Sequence, residues 1–159
     1  MTSATPQRSA YATFRPVTGT WVAGAAAVAS LIVFTLVAIF ATMPLEGSPA
    51  LELFNRAGIA VIGVGTAAFL SRYAMIRAVP SKDGLRVVNL VHTRDLEWAE
   101  IVRLGFGGGA PWAVLELSDT EDLAVMAIQR ADGQRAQGEA SRLAALIEHH
   151  SRPPLASAP

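Results

Sequence analysis

A charge-free apolar run from Pro16 to Leu45 constrains this chain more than any other feature. It contains Trp21, Leu31, Ile32, Val33, Phe34, Leu36, Val37, Ile39 and Phe40, and a helix needs about 20 such residues to span the hydrocarbon core of a bilayer. A second apolar stretch, Ala57 to Ser71, lies between Arg56 and Arg72. As a helix it reaches only ~22 Å against a core of ~30 Å, so it must extend at both ends. Leu51, Leu53 and Phe54 before it and Tyr73, Met75 and Ile76 after it allow this, with Arg56 and Arg72 snorkelling to the two interfaces. The expectation is two transmembrane helices, at about 18–43 and 53–76, within an anchor over 17–78. A disordered cytoplasmic N-terminus, 1–16, precedes them.

Two rival readings carry less weight. The second segment alone would pass for a buried helix of a soluble protein, but not beside the first. The first resembles a signal peptide in its flanking charge, yet it is long for one, and Phe40-Ala41-Thr42-Met43 offers no small-x-small cleavage site. Ala25 with Ala29, Ala26 with Ser30, and Gly63 with Ala67 are small residues one turn apart, a spacing that lets helices approach as a hairpin. Pro44, Gly47, Ser48 and Pro49 make the connection turn-rich. Arg8 and Arg15 precede the first helix, and Arg72, Arg77, Lys82 and Arg86 follow the second. Both termini are therefore expected on the cytoplasmic side of a multi-pass plasma-membrane protein.

Composition narrows the function classes. The chain is 52% hydrophobic and only 16% charged, whereas soluble domains carry about 25% charged residues. Its zero formal charge removes the long-range attraction that nucleic-acid binders use, so no nucleic-acid partner is expected. With no cysteine there is no disulfide framework, thiolate metal site or thiol nucleophile.

From Val79 onward the pattern changes to short alternating runs separated by turns, which is the signature of strands. Met75 to Val79, Leu85 to Val91, His92 to Leu96, Val102 to Phe106, Trp112 to Leu117 and Leu123 to Ile128 are the expected strands. Ala136, Ala140, Leu143, Ala144 and Ile147 then recur at helical spacing. Asp132 suits the N-cap, and Pro153 with Pro154 ends the helix. The domain is expected over 79–151, with a disordered tail at 152–159.

Certain words here resemble a known family: Asp83-Gly84-Leu85-Arg86-Val87 with Asn89, Thr93-Arg94 followed by Trp98-Ala99-Glu100-Ile101, Pro111-Trp112-Ala113 with Leu115-Glu116-Leu117, and Ala127-Ile128-Gln129. Together, over roughly Ile76 to Ile147, they resemble the bacterial PH-like domains of the low molecular weight protein antigen 6 type, small membrane proteins found mainly in actinobacteria. The resemblance implies an α+β fold, in which a two-helix transmembrane hairpin precedes a PH-like antiparallel β half-barrel capped by a C-terminal helix. It implies a membrane location and no established biochemical activity.

Few constellations suggest chemistry. Gly105-Phe106-Gly107-Gly108-Gly109-Ala110 matches G-x-G-x-x-A, but a dinucleotide site needs a helix there, and Pro111 and a strand follow. His149 and His150 are adjacent and so diverge on a helix, with no third ligand nearby. His92 is alone, a turn or surface residue. No catalytic residues, cofactor, metal or small-molecule substrate are expected. Trp98 reads as core, while Trp112, beside Gly107, Gly108 and Gly109, is a candidate partner surface. Arg72, Arg77, Lys82 and Arg86 are candidate lipid-headgroup or topology residues. From Val79 onward, however, eight basic residues face eleven acidic ones, a net of minus three, which opposes binding to an anionic leaflet. The expected function is a non-catalytic, membrane-anchored interaction or scaffolding module, with a protein partner or self-association. The alternatives are a lipid-headgroup-binding module and a subunit of a membrane complex of unrecognised activity.

Overall fold

A computed structural model describes residues 9–41 and 49–151. They form two compact units: Thr18–Met75, and the residues up to Val17 joined with those from Ile76 onward. The expectations for 1–8, for the 42–48 part of the connection and for the 152–159 tail lie outside the described residues.

The first unit is a pair of apolar helices. α1 covers Thr18–Leu36, and the chain then widens into a π-helical turn at Val37–Ala41. α2 covers Pro49–Ser71 and tightens into a 3₁₀ turn at Arg72–Met75. It starts before the expected residue 53 because Pro49 suits a first helical position and Glu52 and Arg56 pair one turn apart, 2.5 Å between Oε1 and Nη2. Both helices are long and apolar enough to cross a membrane. Trp21, Phe40 and Phe54 are 77%, 78% and 77% exposed, so these helices turn aromatic surface outward, unlike the core helices of a soluble domain. Where α1 and α2 meet, Gly63 and Ala67 are buried, and a Cβ on Gly63 would stand 2.6 Å from Phe34 Cβ. Ala25, Ala26 and Ala29 are exposed; the buried small residue of α1 is Ala23.

The second unit carries two three-stranded antiparallel sheets and one long helix. β1 (Arg77–Pro80), β2 (Gly84–Val88) and β3 (Thr93–Glu97) form one sheet in that order. β4 (Ile101–Gly105), β5 (Trp112–Leu117) and β6 (Asp122–Gln129) form the other. Alternation places the faces: along β5, Ala113, Leu115 and Leu117 are buried while the residues between them are half-exposed. α3 (Gln134–Ser151) buries Ala136, Ala140, Leu143, Leu146 and Ile147. Ala144, expected in that stripe, is exposed. Ala144 and Leu146 lie about 80° to either side of Ala136, and it is the larger apolar side chain that is buried.

Gly84 fixes the approach of β2 to β3, where it pairs with Glu97. A Cβ there would stand 2.0 Å from the Leu96 carbonyl oxygen, and backbone cannot yield as a side-chain tip does. Gly84→Ala is expected to cost this unit about 2–3 kcal/mol by overpacking, measured as a lower Tm of the purified protein. An unchanged Tm would show that the strands part freely.

Candidate functional site

The most informative part of the second unit is the segment from Ser9 to Val17, expected to be disordered but packed against the sheet and α3. Phe14 forms an antiparallel bridge to Ala78, its N–H donating to the Ala78 carbonyl at 2.8 Å and its carbonyl accepting the Ala78 N–H at 3.0 Å. Its ring is 1% exposed and lies 3.8 Å below the Arg142 guanidinium. That guanidinium donates to the carbonyls of Ala10 at 2.9 Å and Ala12 at 2.7 Å. It also bonds the Glu139 carboxylate from Nε at 3.0 Å. Val17 N–H donates to Asp132 Oδ2 at 3.0 Å, which gives that expected N-cap residue a partner far away in sequence, while Gly133 stands between Asp132 and α3. At the far end of α3, His150 stacks on Trp98 with centroids 4.7 Å apart and shares a 3.2 Å hydrogen bond with the Tyr11 hydroxyl. Packing thus accounts for this histidine. Among the described residues, no group of three or more potential ligands is placed to hold a metal ion.

The three candidate basic residues of the second unit, Arg77, Lys82 and Arg86, are spread along the first sheet. Arg77 opens β1 and pairs with Val88. Lys82 lies in the β1–β2 turn, about 13 Å or more along the strand from Arg77. Ser81 organises that turn, its hydroxyl accepting the N–H groups of Asp83 and Gly84 at 3.3 and 3.1 Å. Arg86 is tied to Asp95 at 2.9 Å. Arg72 belongs to the helical unit. Other guanidinium groups also meet carboxylates: Arg103 meets Glu116 at 2.9 Å, and Arg94 meets Glu121 at 2.8 Å. Arg94 is held above its ordinary pKa, first by the hydrogen bond to Glu121 and then by that carboxylate's charge, with Asp119 adding to it.

The glycine-rich loop is the β4–β5 hairpin connection, as expected. Gly107, Gly108 and Gly109 take φ of 127°, 60° and 97°, conformations that other residues rarely adopt. Phe106 and Gly107 form one wall of a groove of about 700 Å³, with Leu104 on β4 and Gln137 and Ser141 on α3. Trp112 is half-buried and opposes Gln129 across β5 and β6; it is not among the residues that line the groove. Sequence reasoning missed α3 as the second wall, although its exposed small residues Ser141 and Ala144 were a signal.

Residues 77–145 match the Bacterial PH domain family. PH-like domains are generally non-catalytic, and no enzyme family is indicated. Uncharacterized proteins of Mycobacterium bovis and Mycobacterium tuberculosis are 32% identical over 101 residues, 64% of this chain and 65% of theirs. The chain therefore matches just under two thirds of the length of these relatives. No solved structure matches it. The PH-domain match begins at β1 and ends within α3, so it leaves out the Ser9–Val17 segment that completes the unit.

Proposed function

We propose that this chain is a membrane-anchored PH-like module of the antigen 6 type that binds a protein partner, or a second copy of itself, at the cytoplasmic face of the plasma membrane. The Phe14–Ala78 bridge carries this reading. The residues just before α1 and just after α2 pair within one unit, so if α1 enters the membrane, α2 must return to the same side. The basic residues flanking the pair support a cytoplasmic assignment of that side. The half-barrel arrangement is supported by β1 lying against β6 and by Asn89, which ties the two sheets by donating to the Ala124 carbonyl at 2.7 Å and accepting the Met126 N–H at 3.1 Å.

A protein is favoured over an anionic headgroup because Arg86, Arg94, Arg103 and Arg142 each meet a carboxylate of this unit, leaving less charge for phosphate. The groove beside the glycine loop is the surface we assign to the partner. Tagged full-length protein, purified from native membranes in mild detergent, is expected to bring down one near-stoichiometric protein. Phe106→Asp should reduce its yield at least about tenfold, as when a buried apolar anchor worth about 1.4 kcal/mol or more is lost. Equal yields from both would remove the groove from the reading, and recovery of lipid alone would remove the partner.

A further inference from the structure

The strand register places three features at one end of the first sheet. The chain departs for α1 after Val17, beyond the Phe14–Ala78 bridge. It returns at Ile76 and enters β1 at Arg77, which pairs with Val88. The β2–β3 hairpin closes just past that pair, since Val88 opposes Thr93 and the Asn89 N–H donates to the His92 carbonyl at 2.9 Å. Leu90 and Val91 form the tip. Val91 is 70% exposed, an apolar side chain where hairpin tips usually carry polar residues. Two residues beyond Val88, the tip reaches about 7 Å past the level of Arg77, toward the side from which the chain arrives.

We infer that the Leu90–Val91 tip dips into the membrane interface, a contact that rests on the membrane-anchored reading above. The reach suffices, because each headgroup region is only about 5–8 Å thick. The tip is held for the purpose: Asn89 fixes its base to β6 through the Ala124 carbonyl and the Met126 N–H. The two ends of the sheet also differ in chemistry. The opposite end carries Lys82 and Asp83 in the β1–β2 turn and Glu97 and Glu100 after β3, groups that belong in water. Leu90 and Val91 carry no charge, and the nearby Arg94 is paired with Glu121 and Asp119, so the tip's own contact is apolar, not ionic. It is accordingly insensitive to salt and to the fraction of anionic lipid.

The chain has no cysteine, so Val91→Cys gives a single site for an environment-sensitive fluorophore. The full-length protein is reconstituted in phosphatidylcholine vesicles containing shallow acyl-chain nitroxide quenchers. Asp83→Cys marks the opposite end, and Val33→Cys marks the exposed face of α1. The Val91 label is expected to lose about half its emission, as befits an insertion of about 5–10 Å, equally at low and high salt, while the Asp83 label is unaffected. If Val33 is quenched and Val91 behaves like Asp83, the tip stands in water and the inference fails while the anchor survives. A Val33 label that lipid quenchers do not reach overturns both. Shielding of Val91 from aqueous iodide without lipid quenching would assign the tip to a protein contact and overturn the inference.

Discussion

Arg142→Ala is expected to release the Ser9–Val17 segment from its unit and to destabilise that unit by about 2–4 kcal/mol, from lost charged hydrogen bonds and an orphaned carboxylate, discounted for partial exposure. The side chain is 18% exposed and its partner Glu139 13%, so water replaces little of what is lost. One planar group makes all the contacts at once: two short bonds to the carbonyls of Ala10 and Ala12, a longer one to Ser9 at 3.4 Å, the Glu139 carboxylate, and the face of Phe14. Lysine supplies charge but neither the fork nor the flat face, so Arg142→Lys should recover less than half of the loss. Hydrogen exchange at the Phe14 amide reads the release directly, because that N–H is bonded to Ala78. If the Phe14 amide stays protected in Arg142→Ala, the bridge to β1 alone holds the segment. The consequence reaches the membrane reading, since this segment ties the start of α1 to the end of α2.

What the sequence shows well is whatever depends on neighbours in the chain. The two apolar helices follow from uninterrupted hydrophobic runs, and β5 follows from strict alternation between Trp112 and Leu117. The strand expected over Leu85 to Val91 ends at Val88, because an apolar run does not announce where a hairpin turns, and Leu90 and Val91 became its tip. The expected start of α2, at 53, falls four residues too late, because the turn-forming Pro49 reads as part of the connection until the helix takes it as its first residue. Hardest to see was Ser9–Val17, whose partners Ala78, Asp132 and Arg142 all lie far along the chain. No local period marks such a segment, although Tyr11 and Phe14, two aromatic residues in a leader expected to be disordered, were its trace. For the candidate surface, the glycine loop was visible as a turn. The groove was not, because its other wall is a helix that begins more than twenty residues later.

Trp98→Ala should be the most damaging single change in this unit, costing about 3–5 kcal/mol as a large buried aromatic is removed. The residue sits in the short turn between β3 and β4, where Glu97 and Glu100 cap each other, the Glu100 carboxylate accepting the Glu97 N–H at 2.7 Å. That turn sends the indole inward, to 4% exposure. There it stacks flat on His150, 15° between planes, and its Nε1–H donates to the Ser81 carbonyl at 3.1 Å. Phenylalanine would keep most of the packing but leave the Ser81 carbonyl without this donor, at a cost of about 1 kcal/mol. Thermal unfolding of the purified variants should therefore rank wild type above Trp98→Phe and that well above Trp98→Ala. A loss below about 1 kcal/mol for alanine, the size of an ordinary substitution, would mean that the indole fills space without joining elements. The expected larger loss follows from its position, because Trp98 connects the β1–β2 turn to α3, and His150 passes the contact to Tyr11. Two clamps, Trp98 with His150 and Arg142 with Glu139, thus hold the N-terminal segment to α3, and the Phe14–Ala78 bridge holds it to β1.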